Sequence, residues 1–197
     1  MLAIDVFTGR RLWDRPLPQA AGAGAVGEFV ASEDAIYVAT GRSVLVLDPA
    51  TGEQRTSFPM PENMAGTLIH VRHWKDFLVG QLGKNVICLD RKTGELKWSF
   101  TAAREQLSVA VGGNRVYVAE LLNSRRGETV EGSGVKTTAL DIQTGETAWQ
   151  APGGTPVRYS ETHDLLLASS AIFNGSDGTV HREGGGTGYI AGDNLLL

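Results

Sequence analysis

Several groupings in this chain have the residue types and spacing to do chemistry. Gly22-Ala23-Gly24-Ala25-Val26-Gly27 spells G-x-G-x-x-G, which cradles a dinucleotide pyrophosphate where it turns a strand into a helix. Pro16 and Pro18 precede it, and Glu28 to Thr40 reads as two strands around a turn, so these glycines are expected to serve a linker. His70-x-x-His73 offers two imidazoles to a metal, yet residues three apart on a strand point to opposite faces and no acidic or cysteine ligand stands at an obvious neighbouring position. Cys88 is the single cysteine, which excludes internal disulfides and paired-cysteine metal sites; it reads as a small buried apolar residue. His163 and His181 are isolated and read as turn or surface residues. His181-Arg182-Glu183 with Gly184 to Gly188 reads as an irregular blade connection in preference to a mobile ligand loop, and Asn174-Gly175-Ser176-Asp177-Gly178 as a turn. No nucleophile with an adjacent base and no closely spaced carboxylate pair forms a local motif. The sequence therefore nominates no catalytic residue and no metal ligand.

The elements that would have to position such groups are announced by a repeat. Asp5-x-x-Thr8-Gly9-x3-Trp13 recurs as Asp48-x-x-Thr51-Gly52, as Asp90-x-x-Thr93-Gly94-x3-Trp98 and as Asp141-x-x-Thr144-Gly145-x3-Trp149. The aspartates stand 43, 42 and 51 residues apart, a period that belongs to one four-stranded blade of a β-propeller. Each copy follows a short β-branched run such as Ser43 to Leu47 or Asn85 to Leu89. The Asp is expected to accept turn N–H groups, and the Gly to take positive φ where the chain reverses. The Trp falls on the strand after the turn, where its ring would dock against a neighbouring blade while its N–H finds a carbonyl. The second copy departs from the pattern. Thr56 holds the Trp position and Phe58 is the nearest aromatic, so that contact must be weaker or differently arranged.

Reading outward from the turns predicts three complete blades. Their strands are Glu28 to Ala31, Ile36 to Thr40, Val44 to Leu47 and Glu53 to Phe58; Thr67 to Val71, Phe77 to Gly80, Val86 to Leu89 and Glu95 to Phe100; and Leu107 to Val111, Arg115 to Ala119, Lys136 to Leu140 and Glu146 to Gln150. The added length of the last interval falls in Leu122 to Gly134, a polar extended loop that carries Arg125 and Arg126 and is a possible interaction loop. Before Asp5 there is room for the last two strands of a blade only. After Trp149 come strand candidates Val157 to Ser160 and Leu165 to Ser169 with no fifth Asp-x-x-Thr-Gly. The expectation is one domain over residues 1–197 with a half blade at each end, either truncated from a larger propeller or closed into a small four-bladed ring by pairing of the halves.

The 197 residues, 42% hydrophobic, suffice for one sizeable core, and a net charge of −4 offers no global attraction for nucleic acid. The pair Arg125-Arg126 is too small to alter that. No apolar run reaches membrane-spanning length, and the first residues lack the pattern of a secretion signal.

The run Ala139 to Trp149 closely resembles the tryptophan-docking repeat of the pyrroloquinoline-quinone-like (PQQ-like) propellers, and Cys88 to Trp98 and Ala3 to Trp13 match nearly as well. The resemblance is specific for that superfamily and not for one function. Its members include quinoprotein dehydrogenases and the outer-membrane-assembly lipoprotein, a propeller that binds protein partners and no quinone. Many quinoprotein alcohol dehydrogenases carry an adjacent Cys-Cys disulfide over the quinone and some a Cys-x-x-Cys-His haem site; one cysteine makes neither. Their calcium ligands and catalytic Asp find no matching positions here. The resemblance thus implies a bacterial, periplasmic or otherwise extracytoplasmic scaffold that recognises a protein partner through loops and blade faces, with no cofactor, and with membrane association only through parent sequence beyond these residues. The alternative is a fragment of a PQQ- and calcium-dependent dehydrogenase oxidising alcohols or sugars. A third reading is a sensory propeller fused to a signalling domain.

Overall fold

A computed structural model describes residues 1–17, 28–104, 107–122, 134–184, 189–191 and 194–196. These residues form strands joined by turns, with no helix. Strands β1 (Leu2–Ile4) and β2 (Arg11–Asp14) make a hairpin, here blade 1. Blade 2 is β3 (Phe29–Ala31), β4 (Ile36–Ala39), β5 (Ser43–Leu47) and β6 (Gln54–Pro59). Blade 3 is β7 (Leu68–Trp74), β8 (Phe77–Leu82), β9 (Asn85–Asp90) and β10 (Leu96–Thr101). Blade 4 is β11 (Leu107–Gly112), β12 (Arg115–Leu122), β13 (Gly134–Asp141) and β14 (Thr147–Pro152). Each is an antiparallel meander in chain order, and the first strands of successive blades, β3, β7, β11 and then β15 (Pro156–Ser160), lie side by side. That is the arrangement of blades around a propeller axis.

Among the described residues there are four complete blades rather than three. Strands β15, β16 (Leu165–Ala168), β17 (Ala171–Asn174) and β18 (Val180–Glu183) form a further four-stranded sheet, blade 5, followed by a hairpin of β19 (Tyr189–Ala191) and β20 (Asn194–Leu196). Blade 5 contains a disguised copy of the repeat. Asn174 and Asp177 stand where the others have Asp and Thr, and the Gly178 N–H still donates to the Asn174 carbonyl (2.9 Å), as Gly94 does to Asp90 (2.8 Å). The two end hairpins are separate sheets, not paired halves of one blade.

The core follows from the period-2 alternation of strands covered on both sides. In β9, Ile87 and Leu89 pack against blade 2, while Val86 and Cys88 pack against blade 4. In β4, Tyr37 faces blade 3 and Val38 faces blade 1. Each middle strand therefore reads as a continuous apolar run although it alternates faces.

Every hairpin between the last two strands of a blade carries a one-residue irregularity ahead of the docking position, between Leu96 and Trp98 for example, and between Ala139 and Leu140 opposite Trp149. The bulge turns the next side chain toward the following blade. Trp13, Trp98 and Trp149 are all at least nine-tenths buried. Each lies across the turn glycine of the next blade, so close that a Cβ would stand 2.6 Å from the Trp13 ring at Gly52 and 2.7 Å from Trp98 at Gly145. Each indole N–H donates to the carbonyl one residue past the opening Asp or Asn: Trp13 to Pro49 (2.9 Å), Trp98 to Ile142 (2.7 Å) and Trp149 to Gly175 (2.9 Å).

Trp98→Ala removes both the buried ring and its hydrogen bond, and should cost about 3–5 kcal/mol in denaturant unfolding. An unchanged midpoint would remove the docking role.

Candidate functional site

In an up-and-down blade, the first and third turns fall at one end and the second turn and inter-blade connections at the other. The two ends differ in what their residues are committed to.

At the first end the Asp-x-x-Thr-Gly turns are closed by their own side chains. Asp48 Oδ1 accepts the Ala50 and Thr51 N–H groups (2.7 and 3.0 Å), Asp90 Oδ1 those of Lys92 and Thr93 (both 2.9 Å), Asp141 Oδ1 those of Gln143 and Thr144 (2.9 and 3.0 Å), and Asp5 Oδ1 those of Phe7 and Thr8 (3.0 and 2.7 Å). The Thr hydroxyl then accepts the N–H two residues on, as Thr51 does from Glu53 (3.2 Å). These bonds favour the ionised acid. The carboxyls of Asp5, Asp48 and Asp90 are held below the usual range, mainly by the Thr8 hydroxyl, the Arg55 guanidinium and the Thr93 N–H respectively. Gly9, Gly52, Gly94 and Gly145 all have φ between 68° and 75°, as the turn requires.

Between blades 2 and 3, where Trp is absent, the contact is built differently. Phe58, two residues past the Trp position and so on the same strand face, lies over Gly94. It has no N–H to give. A polar clasp stands in its place: Arg91, next to Asp90, binds the Asp34 carboxylate and the Ser32 hydroxyl (3.2 Å) in the first turn of blade 2 and the Tyr37 hydroxyl (3.2 Å) on β4. The Arg91 hydrogen bond, then that of Ser32, holds Asp34 down at about 2. The clasp was not legible in the sequence, because Asp34 and Arg91 are 57 positions apart in different turns.

Toward the opposite end each second strand carries or is followed by a polar residue: Gln81 and Glu120 lie within β8 and β12, and Thr40 and Ser169 just past β4 and β16. Two of them grip the connection entering their blade. Glu120, only 4% exposed, accepts the Ala103 N–H (2.6 Å), and Ser169 Oγ accepts that of Thr155 (3.0 Å). Arg42 binds three carbonyls of the next connection, at Pro61, Met64 and Gly66. The extended loop with Arg125 and Arg126 springs from this end, between β12 and β13, and lies outside the described residues. The glycine run 22–27 lies outside them too. Arg15, Leu17, Leu45, Leu47 and Gln54 line a cleft of about 350 Å³.

His70 and His73 do not converge on a site. His70 has φ 55°, sits at an irregularity of β7 and faces Glu28 (3.5 Å). Among the described residues, no group of three or more His, Cys, Asp and Glu is placed to hold a metal ion. Cys88 is fully buried between blades 3 and 4, and burial pushes its thiol up to about 12. His181, Arg182 and Glu183 are not part of an irregular connection: they are exposed residues of β18, paired with β17.

Comparison with known proteins bears on this geometry. The family model described as outer membrane protein assembly factor BamB matches residues 1–174. The chain belongs to the BamB family. No curated protein sequence matches it. Among solved structures it is similar to the computationally designed Ika8 protein (14% identity, TM-score 0.61, 90% of this chain and 50% of that one). It is similar also to quinohemoprotein alcohol dehydrogenase ADHIIG from Pseudomonas putida HK5 (15%, 0.59, 93% and 39%) and to the Neurospora crassa Pan2 WD40 domain (14%, 0.61, 86% and 52%). At these identities the likeness is of fold alone, which the BamB family shares with chains of other functions. The chain spans half or about half the length of the Ika8 and Pan2 chains and less of the dehydrogenase.

Two measurements check the commitments described above. Asp34 is ionised more readily folded than unfolded, so its contribution is fully present above the ordinary Asp value of about 4 and is lost as pH falls through about 2. The Tm difference between the wild type and Asp34→Asn should therefore be constant at neutral pH and close between about pH 4 and 2; a difference independent of pH would contradict the clasp. Cys88 should resist alkylation at pH 8 until denaturant is added, and rapid labelling of the native protein would place the thiol elsewhere.

Proposed function

We propose that this chain is a non-enzymatic scaffold that recognises a protein partner through its loop-bearing end and blade faces, in an extracytoplasmic, periplasmic compartment of a bacterium. The observation that carries this reading is the use to which reactive side chains are put. The motif aspartates close turns, Arg91 and Asp34 clasp two blades, Glu120 holds a connection, and Cys88 is packed between sheets with its thiol protonated. Groups so committed are not poised for acid–base or nucleophilic work. The family's description as an outer membrane protein assembly factor supports the partner class and the compartment. No helix of the described residues is long and apolar enough to cross a membrane.

The dehydrogenase alternative calls for calcium and PQQ. The described residues do not fit that pair: they gather no carboxylate set for the ion, and the one cysteine is buried between blades.

Calorimetric titration with PQQ and calcium should give no saturable heat. One-to-one binding would overturn the scaffold reading and favour a quinoprotein. Replacing Arg125 to Gly134 by a short Gly-Ser turn should weaken partner capture while leaving Tm unchanged; undiminished capture would remove the loop from the recognition surface.

A further inference from the structure

Blades 4 and 5 meet over a chain of aromatic rings. The Trp149 ring lies 5.8 Å from that of Tyr117 on β12, tilted at 45°, and Tyr117 stacks on Tyr159 of β15 at 5.6 Å and 25°. Centroids at these separations belong to rings in direct contact. Among the described residues, neither Trp13 nor Trp98 belongs to such a ring pair. Packing alone would be served by phenylalanine at both tyrosine positions, because a buried hydroxyl without a good partner costs free energy. Tyr117 is fully buried, yet its hydroxyl makes only a long bond (3.4 Å) to the Gly175 carbonyl, which already accepts Trp149 (2.9 Å) and Arg115 (3.1 Å). The Tyr159 hydroxyl instead donates to Asp164 Oδ1 at 2.8 Å. Burial, then that hydrogen bond, raises the Tyr159 phenol above its ordinary value, so the proton sits on its oxygen at neutral pH. Asp164 is itself fixed: its Oδ2 accepts the Ser176 N–H (3.2 Å) and its carbonyl that of Gly175 (2.7 Å). The group closes on Gly175, where a Cβ would stand 2.6 Å from the Tyr159 ring and 2.9 Å from the Tyr117 hydroxyl.

We propose that Trp149, Tyr117 and Tyr159 form a relay that moves an oxidising hole away from the docking indole. A one-electron oxidant takes an electron from Trp149, whose N–H stays bonded to the Gly175 carbonyl, too weak a base to remove its proton. An electron then passes from Tyr159 through the Tyr117 ring to the Trp149 radical cation, while the Tyr159 phenol proton moves along its hydrogen bond to the Asp164 carboxylate. The indole is restored, Tyr159 holds a neutral phenoxyl radical and Asp164 becomes a carboxylic acid, so electron, proton and charge balance. Without a base beside the phenol, the same step would leave a charged radical in an apolar interface. Oxidative damage is thereby diverted from the indole that binds two blades to a phenol whose hydroxyl stays bonded within its own blade. This inference stands whether or not the scaffold reading does.

The test uses azide radical, a one-electron oxidant of indoles, generated by a radiolysis pulse. In the 197-residue protein, indolyl absorbance should decay into tyrosyl absorbance at a rate independent of protein concentration. Asp164→Asn keeps every ring, and Asn tolerates the left-handed backbone at this position (φ 51°). It should slow the tyrosyl growth several-fold, as should heavy water, and Tyr159→Phe should abolish most of it. Growth that scales with protein concentration, or that is unchanged in either variant, would overturn the relay by assigning the transfer to collisions or to another tyrosine. Peptide mapping after steady exposure to the same oxidant gives a second readout. Trp13 and Trp149 are equally buried, at 8% exposure each, so access does not distinguish them. Oxidised Trp149 should be several-fold scarcer than oxidised Trp13 in the wild type and as abundant in Tyr159→Phe. Equal oxidation of the two indoles in the wild type would refute the proposal.

Discussion

One contact organises this protein: an aromatic ring laid on a glycine of the next blade, with its N–H, where it has one, bonded to a peptide carbonyl there. A four-stranded sheet of this composition has two apolar faces and cannot hide both by itself. Ile87 and Leu89 need blade 2, and Val86 and Cys88 need blade 4. The docking ring sets how closely two blades approach, because a turn bearing any Cβ would hold it off. Its directional hydrogen bond then selects one orientation from the many that apolar packing alone would permit.

The contact is robust to loss of the indole, and the substitution between blades 2 and 3 shows how. Phe58 reaches the glycine from two residues further along its strand, and orientation is restored by Arg91 with Asp34, Ser32 and Tyr37. Bonding chemistry has moved from one side chain to a group of four while the apolar part has stayed. Similar economy runs through the molecule, since Asp, Thr, Glu and Arg side chains that elsewhere do catalytic work are here partners of backbone N–H and C=O groups. Such a framework leaves its connections free to vary, and the longest interval between motif aspartates, Asp90 to Asp141, is the one that contains the extended loop between β12 and β13.

Much of the fold was legible because the repeat is local. Asp, Thr and Gly act within five residues of one another, so turn and strands can be read from a short window, and the strands of blades 2, 3 and 4 lie where that window puts them. Blade 5 escaped because Asp177 accepts the Thr179 N–H in place of the motif Thr, because the Ser176 N–H goes to Asp164 and not to Asn174, and because Arg182 replaces the Trp that would have flagged it. The role of the glycines was half visible. Positive φ could be expected from the turn, whereas the ring lying on Gly52 or Gly145 belongs to another blade and leaves no mark within the turn.

By itself the amino-acid sequence determined the architecture of this protein: all-β, in four-stranded blades with tryptophan docking. Turn chemistry and strand alternation act over a few residues and so are written in consecutive letters. Only the tertiary structure decided which groups distant in the chain meet, among them Arg91 with Asp34 across two blades and Glu120 with the Ala103 N–H of the connection entering its blade. Those meetings depend on how twisted sheets stack, and stacking brings together residues 17 to 59 positions apart that no local pattern connects.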